Sequence, residues 1–310
     1  MTSTLQNHGI VKTAIGEASL QPIPVPRLLY DYILVETIAV SLNPTNWQTV
    51  GNDIEPEDGT FASYIMVKGD VAFHIPDRVS FEKAASLGCG VTTVALGLYK
   101  YLSLSLLAFP PSIPDPKSRF PILVYGGSSA TGTLVIQSGL EVITTSSPKN
   151  FELLKGLGAD HVLNYHDPTC GAKIRSLTQN KLHHVFGTIA NTSSAHICAD
   201  ALSSSGDNLY VNLMGVEMPR DDVKSVFFLG YSVTGEAYEM EGNVRPAAPE
   251  DFELGKKVFV LLEKLLEDGL IRNHPVRSMN GGLIGILEGM RDLKEGKVSG
   301  EKLVYRVREP

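Results

Sequence analysis

The sequence predicts an α/β fold in which a doubly wound parallel sheet is flanked, along the chain, by two β-rich ends. Three observations indicate this class. Short apolar runs alternate with helical segments between residues 120 and 214, and runs that are apolar on both faces are typical of a parallel sheet covered on both sides. Residues 1–80 are rich in strand-forming and turn-forming residues. The chain closes with the β-prone run KLVYRV (Lys302–Val307).

Strands and turns are predicted for the N-terminal part of the chain. DYILVETIAVSLN (Asp31–Asn43) and FASYIMV (Phe61–Val67) are rich in β-branched and aromatic residues, which favour strands. The segments QPIPVP and GNDIEPEDG are predicted loops. The pattern changes at Ser80, a candidate helix N-cap with Glu82 in the following turn. Small and apolar residues then recur at helical spacing, which predicts a helix.

The middle of the chain is predicted to consist of βαβ units. The strand-like runs are ILVYG, EVITTS, HVLNY, HHVFGTIA and NLYVNLM, and the helical segments between them are NFELLKGLGA, GAKIRSLTQN and SSAHICADALSSSG. Two more helices, DFELGKKVFVLLEKLLEDG and GGLIGILEGMRDLKEG, precede the terminal strand. At this length two domains are expected. We place the sheet domain at residues 83–271 and the β-rich domain at residues 1–82 and 272–310.

Composition excludes several classes of function. The net charge is −7, so nucleic acid would be repelled. Residues 1–20 lack the apolar core of a secretory signal, and glycines and Lys100 interrupt the longest apolar stretch, which argues against a membrane span. Cys89, Cys170 and Cys198 are widely separated, so neither a disulfide framework nor a CxxC zinc site is expected. A reducing, cytoplasmic compartment fits this cysteine content.

A glycine-bearing turn follows the first strand of the alternating region. In YGGSSATG, Gly126, Gly127 and Gly132 match the G-x-G-x-x-G pattern imperfectly, and Ala130 is small enough for close packing of helix and strand. A tight strand–helix turn without a ligand is the alternative. The position after a strand, in an alternating region with a second strand downstream, favours a dinucleotide site.

The end of that second strand predicts which dinucleotide is bound. An NAD-specific site places a carboxylate there to contact the ribose 2′-hydroxyl, whereas this chain reads Ser146-Ser147-Pro148-Lys149-Asn150. Hydroxyls and a lysine suit a 2′-phosphate instead. A capped helix start, with Ser147 as the N-cap and Pro148 in the first turn, explains the same residues without a ligand. The two interpretations are compatible, and the prediction is NADPH.

Fragments along nearly the whole chain resemble the medium-chain dehydrogenase/reductase superfamily and, within it, the zinc-free fungal trans-acting enoyl reductases of polyketide biosynthesis. The fragments that carry the resemblance are SLNPTNWQ, EDGTFASYIMVKGD, IPDRVSFEKAASLGCGVTTVALGLY, FPILVYGGSSATGT, SSPKNFELLKGLGAD, PRDDVK, GEAY and LKEGKVSGEKLVY. The resemblance implies a Rossmann domain that binds NADP(H) and a GroES-like catalytic domain. The implied reaction is hydride transfer from NADPH to an α,β-unsaturated thioester on a polyketide synthase carrier protein, with the reductase as a monomer.

The resemblance also implies residue roles. The expected NADPH contacts are Pro44, Thr45, Asn46 and Trp47, then Ser128, Ser129, Ala130 and Thr131, then Ser147, Pro148, Lys149 and Asn150, and finally Tyr165, Leu213, Met214, Val298 and Ser299. The acyl group is expected along Leu87, Gly88, Cys89, Gly90, Val91, Thr92, Thr93 and Val94, and near Thr234, Gly235, Glu236, Ala237 and Tyr238. No metal is expected.

The catalytic residues implied by the resemblance are Gln48 and Tyr238. Related enzymes usually carry lysine after the tryptophan of this motif, and this chain carries Gln48. An amide orients a carbonyl group but does not deliver a proton. Tyr238, Tyr99 or a bound water would have to protonate the substrate.

Two segments that the superfamily carries are missing from this sequence. After Val50 the chain lacks a long segment that includes strands of the catalytic barrel, so we expect an incomplete GroES-like domain. Only eight residues separate Gly132 from Glu141, which looks too short for a crossover helix of about three turns. Both absences predict weakened activity.

Two further motifs, a serine after a glycine pair and a pair of histidines, do not support other functions. The nucleophile elbow of a serine hydrolase, G-x-S-x-G, fails because alanine follows Ser129. Adjacent His183 and His184 at a strand start face opposite ways and do not predict a metal site. Three interpretations stay open: a trans-acting enoyl reductase, a free-standing NADPH reductase of quinones or alkenals, and a non-catalytic binding protein.

Overall fold

The computed structural model describes residues 5–51, 59–106, 119–240 and 243–309. Strands of the described residues, numbered in chain order, are β1 (Asn7–Ala14), β2 (Glu17–Ile23), β3 (Tyr32–Glu36), β4 (Ala39–Ser41), β5 (Tyr64–Lys68), β6 (Pro121–Tyr125), β7 (Glu141–Ser146), β8 (His161–Asn164), β9 (His184–Gly187), β10 (Asn208–Asn212), β11 (Val223–Phe227), β12 (Tyr238–Met240), β13 (Asn243–Arg245), β14 (Val276–Met279) and β15 (Lys302–Arg306). The α-helices are α1 (Pro44–Gly51), α2 (Phe81–Ala85), α3 (Gly88–Val94), α4 (Ala130–Ile136), α5 (Phe151–Gly156), α6 (Cys170–Leu177), α7 (Thr192–Ala201), α8 (Pro249–Asp268) and α9 (Gly282–Lys294). In the described part of the chain, none of these helices is both long and apolar enough to cross a membrane.

The chain divides into two units, which we call the β-rich unit (Met1–Gly88, Tyr231–Glu263 and His274–Pro310) and the nucleotide unit (Cys89–Gly230 and Lys264–Asn273). The sequence-based domains differ from these units mainly at residues 231–263, which belong to the β-rich unit. Local packing explains the difference. A Cβ atom on Gly255 of α8 would lie 2.5 Å from Val233 and 3.2 Å from Val71, so this part of the helix packs tightly within the β-rich unit.

A six-stranded parallel sheet in the order β11-β10-β9-β6-β7-β8 forms the nucleotide unit. This order confirms the predicted doubly wound α/β class. From β6 the chain runs outward through β7 and β8, then returns to the other side of β6 for β9, β10 and β11. Ile122, Leu123 and Val124 of β6 are 0% exposed, as a central strand covered on both faces requires.

The helix predicted after Ser80 is present but divided. Ser80 caps α2, with its side chain accepting a hydrogen bond from the backbone of Lys83. A π-helical segment, Ala95–Tyr101, follows α3. Within the nucleotide unit, a Cβ on Gly97 would lie 2.5 Å from the Phe186 ring. Glycine therefore allows this segment to approach β9 closely.

The crossover after Gly132 does form a helix, so the expectation that the segment is too short was wrong. Helix α4 has seven residues, about two turns, and β6 still pairs with β7 in parallel register from Pro121–Glu141 to Tyr125–Thr145. The carboxyl end of α4 is hydrogen-bonded to a segment that is distant in the chain. The Gln137 side chain donates to the Arg272 carbonyl at 2.9 Å and accepts from the Arg272 amide at 2.8 Å. A two-turn helix is thus held in place by a reciprocal pair of hydrogen bonds.

The β-rich unit pairs its described strands in small groups. These are β1 with β2, β3 with β5, β12 with β13, and β14-β15-β4. The predicted terminal strand is confirmed as β15. The first predicted deletion falls beside residues 52–58, which lie outside the described residues. On β3, Ile33 and Leu34 are 46% and 37% exposed, so the described strands leave apolar side chains of this pair uncovered.

Candidate functional site

The turn between β6 and α4 has the geometry that close approach of a phosphate requires. Gly126 has φ +88°, which favours glycine. A Cβ on Gly132 would lie 2.5 Å from the Gly126 carbonyl oxygen and 2.8 Å from the Gly127 Cα. The third glycine of the motif therefore lets the first turn of α4 rest directly on the backbone of the glycine turn.

Backbone amides at the start of α4 are available to an anion. The Ser129 side chain caps the helix by accepting from the Gly132 amide at 3.0 Å. Within the described chain, the amides of Ala130 and Thr131 have no acceptor, as expected for the first positions of a helix. Two N–H groups beside a glycine turn can donate hydrogen bonds to a phosphate.

Hydroxyl groups that follow two strands, β6 and β9, are hydrogen-bonded to each other at this turn. Thr188, which follows β9, lies 2.9 Å and 2.8 Å from the carbonyl oxygens of Tyr125 and Gly126 and accepts from Ser129 at 2.8 Å. Sequence reasoning missed Thr188. The signal was present, because a small hydroxyl residue at the carboxyl end of a parallel strand reaches the same sheet edge as the glycine turn.

The second predicted cofactor segment, Ser147–Asn150, forms a single turn of 3-10 helix at the end of β7. Ser147 has the extended backbone of an N-cap, but its side chain accepts no hydrogen bond from the helix backbone. The buried Asn150 side chain donates to Ser146 and Ser147 at 3.3 and 3.4 Å, and Ser146 donates to Ser128 at 3.0 Å. The two predicted cofactor segments of the nucleotide unit are therefore hydrogen-bonded to each other.

Lys149 is exposed at this corner. Among the described residues it has no ion-pair or hydrogen-bond partner. An ammonium group without an internal partner, beside hydroxyls and away from any carboxylate of the segment, is available to a phosphate.

The remaining predicted cofactor residues of the nucleotide unit follow β8 and β10. The ring of Tyr165 is 37% exposed and lies 6.4 Å from that of Tyr125. After β10, Leu213 is half-buried and Met214 is 49% exposed. The Met214 amide donates to the Asn212 side chain at 3.1 Å. All three predicted residues are thus at least partly exposed, and each lies just after the carboxyl end of a strand.

In the β-rich unit, the predicted Asn-Pro-Thr turn is the start of helix α1. The Asn46 side chain accepts from the Asn43 amide at 2.6 Å, and the Trp47 ring packs against the core of α9 and β15. Pro44 and Thr45 are exposed, whereas Gln48 is half-buried. The Gln48 side chain has no hydrogen-bond partner within the described residues, so its amide group is free to orient a ligand.

Val298 and Ser299 lie in the segment before β15. Val298 packs against the same core as Trp47, and Ser299 is exposed.

The predicted acyl segment Leu87–Val94 includes helix α3, and most of its side chains are buried. The buried members are Leu87, Gly90, Val91, Thr92 and Thr93, whereas Gly88 and Val94 are half-buried and Cys89 is exposed. Thr93 donates to the Cys89 carbonyl one turn earlier at 2.7 Å. Cys89 is therefore the most exposed residue of this segment, relative to its size.

The second predicted acyl segment, Thr234–Tyr238, contains an engaged carboxylate. Glu236 accepts from Lys68 of β5 and from the Tyr32 hydroxyl, each at 2.5 Å. Partial burial of Glu236 raises the pKa of its carboxyl group, but these hydrogen bonds outweigh burial and hold that pKa below its usual value. Thr234 and Gly235 precede Glu236 in this segment, and Ala237 follows it. Sequence reasoning missed Lys68, because no local pattern couples residue 68 to residue 236.

Tyr238 and Tyr99 were the predicted side-chain proton donors. Tyr238 opens β12, half-buried, with its ring 5.5 Å from that of Tyr231. Burial raises the pKa of Tyr99 to about 12, which makes it a weaker acid. This pKa makes Tyr99 a poor proton donor near neutral pH.

Zinc is not expected in this protein. In the described ranges, no three His, Cys, Asp or Glu side chains come together to hold a metal ion. Cys170 and Cys198 are buried, and burial raises the pKa of the Cys170 thiol to about 11 and that of Cys198 further, whereas zinc binds thiolates. Elemental analysis of the purified protein should find no stoichiometric zinc. One zinc per chain would contradict this account.

Comparison with known proteins identifies relatives that align along almost the whole chain. No protein-family model matches it. The trans-enoyl reductase ACTTS2 of Alternaria alternata is 38% identical over 349 aligned positions, covering 98% of this chain and 99% of that protein. The trans-enoyl reductase resD of Aspergillus sclerotiorum is 36% identical, with coverage of 97% and 100%. Both alignments are longer than the 310-residue chain, so each relative has residues at positions where this chain has none.

Solved structures share the fold at low sequence identity. A putative zinc-dependent alcohol dehydrogenase from Rhizobium etli has a TM-score of 0.78 at 19% identity, covering 98% of this chain and 99% of that chain. A putative NADPH:quinone reductase from Bacillus thuringiensis has a TM-score of 0.75 at 16% identity, with coverage of 98% and 99%. The CurK enoyl reductase has a TM-score of 0.72 at 16% identity, with coverage of 97% and 99%. The protein thus has the medium-chain dehydrogenase/reductase fold and belongs to the trans-enoyl reductase family.

Proposed function

We propose that this protein reduces an α,β-unsaturated polyketide thioester, using NADPH, as a separate partner of a polyketide synthase. Family membership supports the reaction class. The observation that carries the cofactor assignment is the corner at the end of β7, where Lys149 is exposed without a partner in the described chain. No carboxylate occurs in Ser146–Asn150 to repel a 2′-phosphate.

The glycine turn before α4 and the Ser147–Asn150 corner fit the pyrophosphate and the 2′-phosphate of a dinucleotide. The N–H groups of Ala130 and Thr131 would bind the pyrophosphate, and Gly126 and Gly132 keep side chains away from it. Ser147 and Lys149 would hold the 2′-phosphate, with Pro148 and Asn150 fixing the corner. When bound, NADPH supplies the hydride for the β-carbon of the enoyl thioester.

The proposed substrate residues divide into orienting and proton-delivering groups. Gln48 would donate a hydrogen bond to the thioester carbonyl, where negative charge develops on hydride addition. Tyr238 would supply the proton to the α-carbon. The accessible residues Gly88, Cys89 and Val94 of the first acyl segment would contact the chain of the substrate. We further propose an acyl group delivered on a carrier protein, a monomeric reductase and a cytoplasmic location, the last because Cys89 is an exposed free thiol.

A free-standing NADPH reductase of quinones or alkenals is the second candidate, because the quinone reductase named above shares the fold. A non-catalytic binding protein is the third. The test is NADPH oxidation followed by absorbance, with an enoyl thioester and a simple quinone assayed in parallel. Thioester turnover supports the proposal. Turnover of quinone alone supports the second candidate, and turnover of neither supports the third.

The Lys149→Ala variant should bind NADPH more weakly by about 1.5–3 kcal/mol, which is roughly 10- to 150-fold in Kd, because a charge-assisted phosphate contact is lost. NADH affinity should be unchanged. Calorimetric titration with both cofactors measures the effect. Lys155→Ala is the matched control, since Lys155 is exposed on the adjacent α5 and pairs with Glu152. Equal losses for NADPH and NADH would show that Lys149 does not contact the 2′-phosphate.

A further inference from the structure

Lys68 is a buried cation with several partners in the β-rich unit. The residue is only 8% exposed, although lysines are rarely buried unless paired. Its ammonium group lies 3.0 Å from the Asp31 carboxylate and 2.5 Å from that of Glu236. It also lies over the rings of Tyr32 and Phe252, at 4.8 and 5.3 Å from their centroids.

These contacts join one strand to the segment Thr234–Tyr238. Lys68 ends β5, and Glu236 stands in the middle of the segment. The segment is fixed on its other side too: Gly235 has φ +78°, and a Cβ there would lie 2.8 Å from the Cβ of Phe252. Phe252 thus packs against both the cation and the segment that the cation holds.

Glu236 is therefore poorly placed to contact a substrate itself. Both of its carboxylate oxygens already accept hydrogen bonds, one from Lys68 and one from Tyr32. Tyr238 lies two residues further on, at the start of β12. The contacts of Glu236 therefore restrain the chain two residues before Tyr238.

We propose that Lys68 is a positioning residue for the proposed reductase: through its ion pair with Glu236 it fixes the Thr234–Tyr238 segment and thereby places Tyr238 for the enoyl thioester. This rests on the proposed function. The hydrogen bonds from Lys68 outweigh the effect of burial and raise the pKa of its ammonium group to about 12. Lys68 therefore stays charged and acts through Glu236 instead of delivering a proton.

The kinetic test uses Lys68→Met, Glu236→Gln and the double variant. Lys68→Met should fold, because Asp31 and Glu236 are each about half exposed and water can solvate them once the lysine is gone. The kcat/KM for the enoyl thioester should fall at least 10-fold in either single variant, because a displaced Tyr238 stabilises the transition state less well, and the Kd for NADPH should stay within twofold. The double variant should be no worse than the more impaired single variant, and Lys68→Arg should restore kcat/KM to within threefold.

Lys256→Met is the matched control. Lys256 lies over the same Phe252 ring at 4.8 Å, but its ion pair is with Glu253 on its own helix. This variant should keep the kcat/KM of the wild-type protein. An unchanged kcat/KM in Lys68→Met, or additive losses in the double variant, would overturn the proposal.

Hydrogen exchange of peptides covering residues 232–240 separates failure of this proposal from failure of the proposed function. Exchange should be at least 10-fold faster in Lys68→Met than in the wild-type protein, and unchanged in Lys68→Arg and Lys256→Met. If the wild-type protein reduces no thioester, the proposed function fails, and with it the role of Lys68 in placing Tyr238. If the wild-type protein is active and exchange in Lys68→Met is unchanged, the positioning role alone is overturned.

Discussion

Replacing Gly132 with alanine should weaken NADPH binding by about 30- to 150-fold, equal to about 2–3 kcal/mol, because a forced contact of this kind costs that much in a packed structure. The added Cβ would lie 2.5 Å from the Gly126 carbonyl oxygen and 2.8 Å from the Gly127 Cα. Both atoms are backbone and cannot rotate away. The glycine turn must move as a whole, which displaces the amides of Ala130 and Thr131 from the pyrophosphate.

Gly156→Ala is the matched control for this experiment. Gly156 ends α5 in the same unit, and a Cβ there meets nothing within 4 Å. Its substitution should leave NADPH affinity within twofold and stability equal or slightly higher. Titration of both folded variants with NADPH measures the difference. If Gly132→Ala bound NADPH as tightly as Gly156→Ala, the glycine turn would not be the phosphate site.

Replacing Arg220 with methionine should destabilise the nucleotide unit by about 1–3 kcal/mol, because three buried carbonyl groups each lose a charge-assisted donor. The Arg220 guanidinium donates to the carbonyl oxygens of Ala199, Leu202 and Ser203 at 2.9, 3.3 and 2.8 Å. These carbonyls lie at the carboxyl end of α7, where no intrahelical donor exists. Arg175 also donates to the carbonyl oxygens of Ala199 and Leu202, and Asn208 donates to that of Ser203, so each carbonyl keeps one donor in the variant. Asp222 holds the guanidinium in place at 2.6 Å.

Thermal unfolding followed by circular dichroism measures this effect. A loss of about 1–3 kcal/mol should lower the Tm by roughly 2–12 °C for a unit of this size. Lys224→Met removes a nearby exposed cation that has no partner in the described chain and should change the Tm little. Equal Tm values for the two variants would contradict the capping role of Arg220. If confirmed, the result explains the PRDDVK fragment as a structural motif.

The sequence was sufficient for those parts of the fold that depend on short-range patterns. Alternation of apolar runs with helices predicted the parallel sheet, and small residues after β6 predicted the tight turn at Gly126. Ser80 was identified as an N-cap from its neighbours alone. Each of these depends on residues within one turn or one strand, so the pattern is readable without tertiary information.

Contacts between distant segments could not be predicted in the same way. Lys68 and Glu236 are far apart in the chain, and nothing near either residue indicates the other. The segment of α4 looks too short because a crossover helix usually has about three turns. Its support by Arg272 comes from a remote segment, which no local pattern indicates. Residues 231–263 could not be assigned to a unit from the sequence either. The helical pattern of α8 suits a crossover helix of the parallel sheet equally well, and only the packing of Gly255 near Val71 places this part in the β-rich unit.

Isotope transfer tests the proposed reduction most directly. The protein is incubated with an enoyl thioester and NADPH that carries deuterium at the transferable position, and the product is analysed by mass spectrometry. We expect a saturated thioester with one deuterium on the β-carbon, and far less of it with Gly132→Ala at the same cofactor concentration. The proposed function would be contradicted if the enoyl thioester stayed unchanged while the same preparation, in a separate reaction, oxidised NADPH with a quinone.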